Sequence, residues 1–179
     1  KLRLGKINDL ISYRLSREKL INFKKSSSII INKQIYKINI FENKLDGSEH
    51  FALIKGNIKK NTNPRVRIIS SNIIKNYLMG EKLPNSFNKT ISYFKNYKDC
   101  VLIFIRDTNL KSVSETLKEY KDKKFYKTGH DKLIKNYGIG AQIIRSLNIK
   151  KMILVTRSKK KVVGLDGYSI KITKQEIIK

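Results

Sequence analysis

"NYGIGAQIIRSLNIKKMILVT", residues 136–156, decides the fold. Ile139, Ile143, Ile144 and Leu147 recur at helical spacing and make one apolar stripe, after which "KMILVT" takes on the character of a strand. A helix that feeds an apolar strand is the repeating unit of an α/β sheet. Gly138-Ile-Gly140 reads as a tight helix start. Glycines in that place can also bring backbone N–H groups close to a phosphate, but the third glycine and the preceding strand of a dinucleotide fingerprint are missing.

Moving upstream, "CVLIFIRD" (100–107) is a continuous apolar run of the buried-strand type. "PRVRIIS" (64–70) is another strand, with Val66 and Ile68 alternating against Arg67 and Ile69. Between the two, Phe87, Ile91 and Phe94 fall at i, i+4 and i+7 and predict a helix with one buried face. "SSSIIINKQIYKINIF" (26–41) is β-branched and alternating, and an Asp46-Gly47 turn precedes "FALIKGN", so two hairpins are expected early in the chain. Three further elements follow from pattern: a helix over 7–21, an exposed helix over 112–124 begun by a serine cap, and a hairpin-like pair in "VVGLDGYSIKI" (162–172). Strands interleaved with helices imply an α/β fold, a three-layer domain in which a mixed β-sheet carries helices on both faces.

Length and composition narrow the function classes. With 179 residues one core is expected rather than two, and no apolar run approaches the ~18 residues of a membrane span. The chain begins at Lys1 with no methionine or leader, which suggests a piece of a longer polypeptide. Its single cysteine, Cys100, excludes an internal disulfide and points to a reducing, cytoplasmic setting. The net charge of +26 favours polyanions, yet only eight of the 40 basic residues are arginine. Lys, Ile and Asn share AT-rich codons, and readers of nucleic acid favour arginine forks, so nucleic-acid binding ranks below the readings that follow.

Catalytic chemistry is sparsely supplied. A zinc site needs three or four converging ligands, whereas Cys100, His50 and His130 are far apart in sequence, so neither a metal nor another cofactor is expected. His130-Asp131 reads as a loop pair, and no Ser, His and carboxylate set stands at a recognisable spacing. Asp107 is the best-placed carboxylate, at the end of an apolar strand. Arg157, Lys159, Lys160 and Lys161 follow "MILVT", where a triphosphate can meet strand ends; a solvated basic turn is the plain alternative.

"NYGIGAQIIRSLNIKKMILVTRSKKKVVGLDGYSIKI" (136–172), "EHFALIKGNI" (49–58) and "RVRIISS" (65–71) together resemble GTP cyclohydrolase II. "KINDLISYRLSREKLI" (6–21) is similar to the linker that joins 3,4-dihydroxy-2-butanone 4-phosphate synthase to that enzyme in two-domain riboflavin proteins. The resemblance implies a linker and helix over residues 1–24 and a cyclohydrolase-like domain over 25–179. It also implies a reaction in which zinc-activated water opens the guanine ring. The three cysteines that hold zinc in the family correspond here to Asn72, Leu83 and Asn85, and the catalytic Asp-x-Arg to Leu133 and Lys135. The substrate-contacting loop becomes Arg106-Asp-Thr-Asn-Leu-Lys111, without its glycines. Arg67, Ser70, Thr156 and Lys161 match substrate-binding positions and survive. The expectation is a domain without zinc or catalytic residues that serves as scaffold or weak GTP or phosphate binder. Its partner would be an N-terminal synthase in the same chain, and the family suggests a homodimer. An active cyclohydrolase with rearranged ligands is the alternative reading.

Overall fold

The computed structural model describes residues 17–58, 62–71, 83–106, 130–158 and 168–178, with Tyr13, Ser114 and Lys118 besides; the side chains of 83–85 and 130–137 fall outside that description. The described elements are β1 (Ile21–Ile31), β2 (Gln34–Asn43), β3 (Glu49–Lys55), β4 (Arg65–Ser70), α1 (Leu83–Lys95), β5 (Cys100–Ile105), α2 (His130–Ser146), β6 (Lys151–Thr156) and β7 (Lys171–Ile177). They build a seven-stranded sheet in the order β1-β2-β3-β5-β4-β6-β7. The first three strands form an antiparallel meander, β3 joins β5 antiparallel, and β5, β4, β6 and β7 run parallel. The expected mixed sheet is present.

Strand alternation explains both layers. Val101, Ile103 and Ile105 of β5 point to one side and join Ala52, Ile54, Val66, Met152 and Leu154 beneath Ile139, Ile143 and Ile144 of α2. Cys100 and Leu102 point to the other and join Tyr36, Leu53, Ile69 and Val155 beneath Ile91 and Phe94 of α1. A strand covered on both faces has no polar side to show, so "CVLIFI" is unbroken.

The early hairpins are present, and the first turns on Asn32 and Lys33, both left-handed with φ of 49° and 63°, the two-residue geometry that matches strand twist. The second contains the expected turn, where Gly47 is left-handed and the Asp46 carboxylate accepts from the Ser48 amide at 3.0 Å.

Two expectations change. Gly138 and Gly140 lie inside α2, not at its start, because the helix already begins at His130. A Cβ on Gly140 would sit 2.8 Å from Ile68 Cδ1, so that glycine lets the helix approach β4 closely. The first half of the hairpin-like pair expected over 162–172 lies outside the described residues; from its second half β7 pairs with β6 in parallel. At the start of the chain Tyr13 and Arg17 are helical, with the guanidinium 5.3 Å from the ring, but Ile21 already belongs to β1. The helix expected over 112–124 lies outside the described residues, apart from the helical Ser114 and Lys118.

Two long-range polar locks close the sheet. Gln142 on α2 accepts from the Leu20 and Ile21 amides at 2.9 and 3.2 Å and donates to the Glu18 carbonyl at 3.0 Å, tying the lead into β1 to the helix. Arg65 at the start of β4 donates from Nε and Nη2 to the Glu176 carboxylate of β7 at 2.9 and 3.3 Å. Its guanidinium lies 3.4 Å over the Tyr97 ring, and the Tyr93 hydroxyl donates to the same carboxylate.

Candidate functional site

β4 lies between β5 and β6, and its connection leads through α1 to one flank while that of β5 leads through α2 to the other. The two helices cover opposite faces, so the chain leaves the carboxyl ends of these strands in opposite directions. In α/β sheets such a switch point is where a ligand crevice forms, here at the strand ends Ser70, Ile105 and Thr156. α1 runs back against the strands: Lys55 Nζ donates to the Phe94 and Lys95 carbonyls at 2.7 and 3.1 Å, which fixes the negative end of the helix near the amino end of β5. Its positive end therefore faces the crevice, and its first turn carries no acidic residue.

Arg67 is the most unusual group there. It is only 5% exposed and lies on the α1 side of β4, the parity of Ile69. Its Nη2 donates to Ser86 Oγ on α1 at 3.0 Å, while Nε and Nη1 have no acceptor among the described residues. Burial, and then the charge of Arg157 just beyond β6, push its pKa down to about 10. An arginine this deep without a carboxylate is costly to hold.

Ser70 and Thr156 stand on the other face, on the parities of Ile68 and Leu154, both of which pack with the α2 cluster. Thr156 Oγ1 is buried and has no partner among the described residues. Lys161 lies outside the described residues, as do Asn72 and Asp107. Arg67, Ser70 and Thr156 thus share the rim but not one face.

The histidine and the thiol are committed elsewhere. His50 is buried in β3; its Nδ1 accepts from the Arg106 amide at 3.2 Å, which leaves the proton on Nε2 to be given to Ser48 Oγ at 3.3 Å. Ser48 Oγ in turn donates to Asp46 at 2.5 Å. His50 therefore holds the chain where it leaves β5, a role no local pattern announces. Cys100 is fully buried at the opposite, amino end of β5, and burial pushes its thiol up to about 12. Among the described residues no three His, Cys, Asp or Glu side chains converge as a metal would need.

Arg67 was singled out in the sequence; its partner Ser86 was not, since it lies off the apolar stripe of α1 and has no motif of its own. Arg157 was visible only as part of a basic run.

Known proteins resemble this chain over most of its length. The chain is similar to the riboflavin biosynthesis protein RibBA of Aquifex aeolicus, 28% identical over 99% of this chain and 47% of that protein. It is also similar to the monofunctional riboflavin biosynthesis protein RIBA 2, chloroplastic, of Arabidopsis thaliana, 30% identical over 96% of this chain and 37% of that protein. The chain thus spans less than half the length of these relatives. Among solved structures it matches RibBX, a two-domain 3,4-dihydroxy-2-butanone 4-phosphate synthase from A. baumannii, with a TM-score of 0.66 and 22% identity over 98% of this chain and 46% of that one, a likeness of fold. The family model for GTP cyclohydrolase II runs over residues 25–176, from within β1 to the penultimate residue of β7, and the chain belongs to that family.

Proposed function

We propose that this domain is a non-catalytic member of its family, a scaffold and ligand-holding module of a riboflavin-biosynthesis protein joined to a 3,4-dihydroxy-2-butanone 4-phosphate synthase. The observation that carries the proposal is the donor set. The whole chain has one thiol, Cys100, and it is buried at the end of β5 remote from the crevice. Zinc in the family requires three thiolates, where Asn72, Leu83 and Asn85 stand; a leucine cannot bind metal. The residues present do not fit zinc. Leu133 and Lys135, at the acid–base positions, cannot supply a carboxylate.

The synthase partner is supported by length and likeness: the chain covers about half of each two-domain match, and RibBX is itself a two-domain synthase. In this reading residues 1–24 lead from the synthase into the domain, and Arg67, Ser70, Thr156 and Lys161 retain ligand contacts without chemistry.

Zinc content and formate release from GTP, measured on the purified full-length protein, test the proposal. Substoichiometric zinc, no formate, and a melting temperature indifferent to chelator are expected. Stoichiometric zinc together with GTP turnover would instead make this an active cyclohydrolase with rearranged ligands.

A further inference from the structure

We infer that the exposed side of the β1–β2 hairpin, around Phe23, Ile30 and Ile35, is the surface on which the synthase domain packs. This rests on the reading above that a synthase precedes residues 1–24, and it gives that domain a place on the fold.

β1 closes one edge of the sheet, with β2 as its neighbour. Eight successive residues, Phe23 to Ile30, are exposed, so both faces of that stretch are open. Such edges are usually blunted by charge, proline or a bulge. β1 has Lys24, Lys25 and a bulge between Phe23 and Lys25, but none of these devices from Ser26 to Ile31.

Pairing fixes the side that each residue shows. Phe23 lies opposite Phe41 and Ile30 opposite Ile35, and Phe41 belongs to the cluster beneath α2. Phe23, Ile30 and Ile35, exposed by 56, 72 and 71%, therefore all face the α2 side. They stretch over roughly 20 Å of strand, and apolar side chains left open along one side mark contact with another protein surface. The entering chain lies on that same side. Gln142 of α2 holds the Glu18 carbonyl and the Leu20 and Ile21 amides, which fixes the last residues before β1 against the helix. A domain joined through that lead meets the hairpin at an effective concentration on the order of millimolar.

Charge disfavours other occupants. Residues 21–41 contain four lysines and no Asp or Glu. Lys24 is held by Glu42 and Glu49, whereas Lys25, Lys33 and Lys37 form no ion pair among the described residues. A second copy would set the same lysines, and a net charge of +26, against their like. A polyanion would answer the lysines but leave three apolar side chains in water. The matching surface is apolar at its centre with carboxylates at its rim.

Carbodiimide crosslinking of the purified full-length protein, which joins a lysine to a carboxylate in contact with it, tests the inference. Mixing isotope-labelled with unlabelled protein separates links within a chain from links between copies. Links from Lys33 or Lys37 to carboxylates of the synthase, within one chain, are expected. Ile30→Gln combined with Ile35→Gln should lower their yield on the order of tenfold, and both side chains are too exposed for the change to unfold the domain. Links that join differently labelled copies give the surface to a second copy. Lysines 33 and 37 left unlinked to the synthase give it to a foreign partner. Either result overturns the inference, as does an unchanged yield in the double variant. Synthase turnover measured on the same sample keeps the two readings apart. Its absence removes the fusion itself, whereas an active synthase unlinked to the hairpin removes only this placement.

Discussion

Replacing Arg67 by methionine should stabilise the ligand-free protein, the reverse of what most core substitutions do. The guanidinium pKa falls from its ordinary value to about 10, so folding penalises its charged form by about 3 kcal/mol. One hydrogen bond to Ser86 returns about 1 kcal/mol of that. Methionine keeps most of the apolar stem volume and discards the charge, for a net gain of about 1–3 kcal/mol, or roughly 3–10 °C in melting temperature for a domain of this size. Urea unfolding in phosphate-free buffer measures the gain. Saturating phosphate should then shrink or invert it, because only wild type recovers binding free energy. A loss of more than about 1 kcal/mol without phosphate would mean that Arg67 is a satisfied structural group, and would refute the reasoning.

Three further outcomes are expected. Burial tends to raise the Glu176 carboxyl, but hydrogen bonds from Tyr93, Lys174 and Arg65 outweigh it and hold the group low. A depressed carboxylate contributes stability that is present above its unfolded value and lost as pH falls through its folded one. Wild type should therefore lose stability below about pH 4, and Glu176→Gln should lose about 1–3 kcal/mol at neutral pH and show a flatter acid limb in a pH series of melting curves. The Cys100 thiol, pushed up to about 12 by burial, should react with Ellman's reagent only after denaturant is added, and prompt reaction in native buffer would contradict the packing. Gly56 is left-handed at φ 84°, and a Cβ there would meet the Lys98 carbonyl at 2.3 Å, so Gly56→Ala should cost about 2–4 kcal/mol in urea unfolding.

The parts of this molecule that were legible in sequence are those with local periodicity. The stripe of Ile139, Ile143 and Ile144, the spacing of Phe87, Ile91 and Phe94, and the unbroken run from Cys100 to Ile105 each report which faces are covered. Partner choice was not legible, because alternation marks a strand without saying what lies beside it. The parallel pairing of β7 with β6, for instance, has no local signature in "SIKI". Gly140 misled for a related reason: a glycine that admits a neighbour and a glycine that opens a helix look alike until Ile68 is seen against it. Arg67 was found through resemblance, but its isolation could not be, since a missing counter-charge has no sequence signature. The contact from Arg67 to Ser86 likewise depends on β4 and α1 folding together.

The bond between Arg65 and Glu176 also sets an order of events during synthesis. The meander of β1, β2 and β3 joins neighbours in the chain and can form as soon as it leaves the ribosome. Arg65 must wait through 111 further residues for its carboxylate, and until then Tyr93 and the outer edge of β6 stay uncovered. The nascent domain therefore carries an open flank until the stretch containing Glu176 has been translated, and that flank is where a chaperone would find its grip.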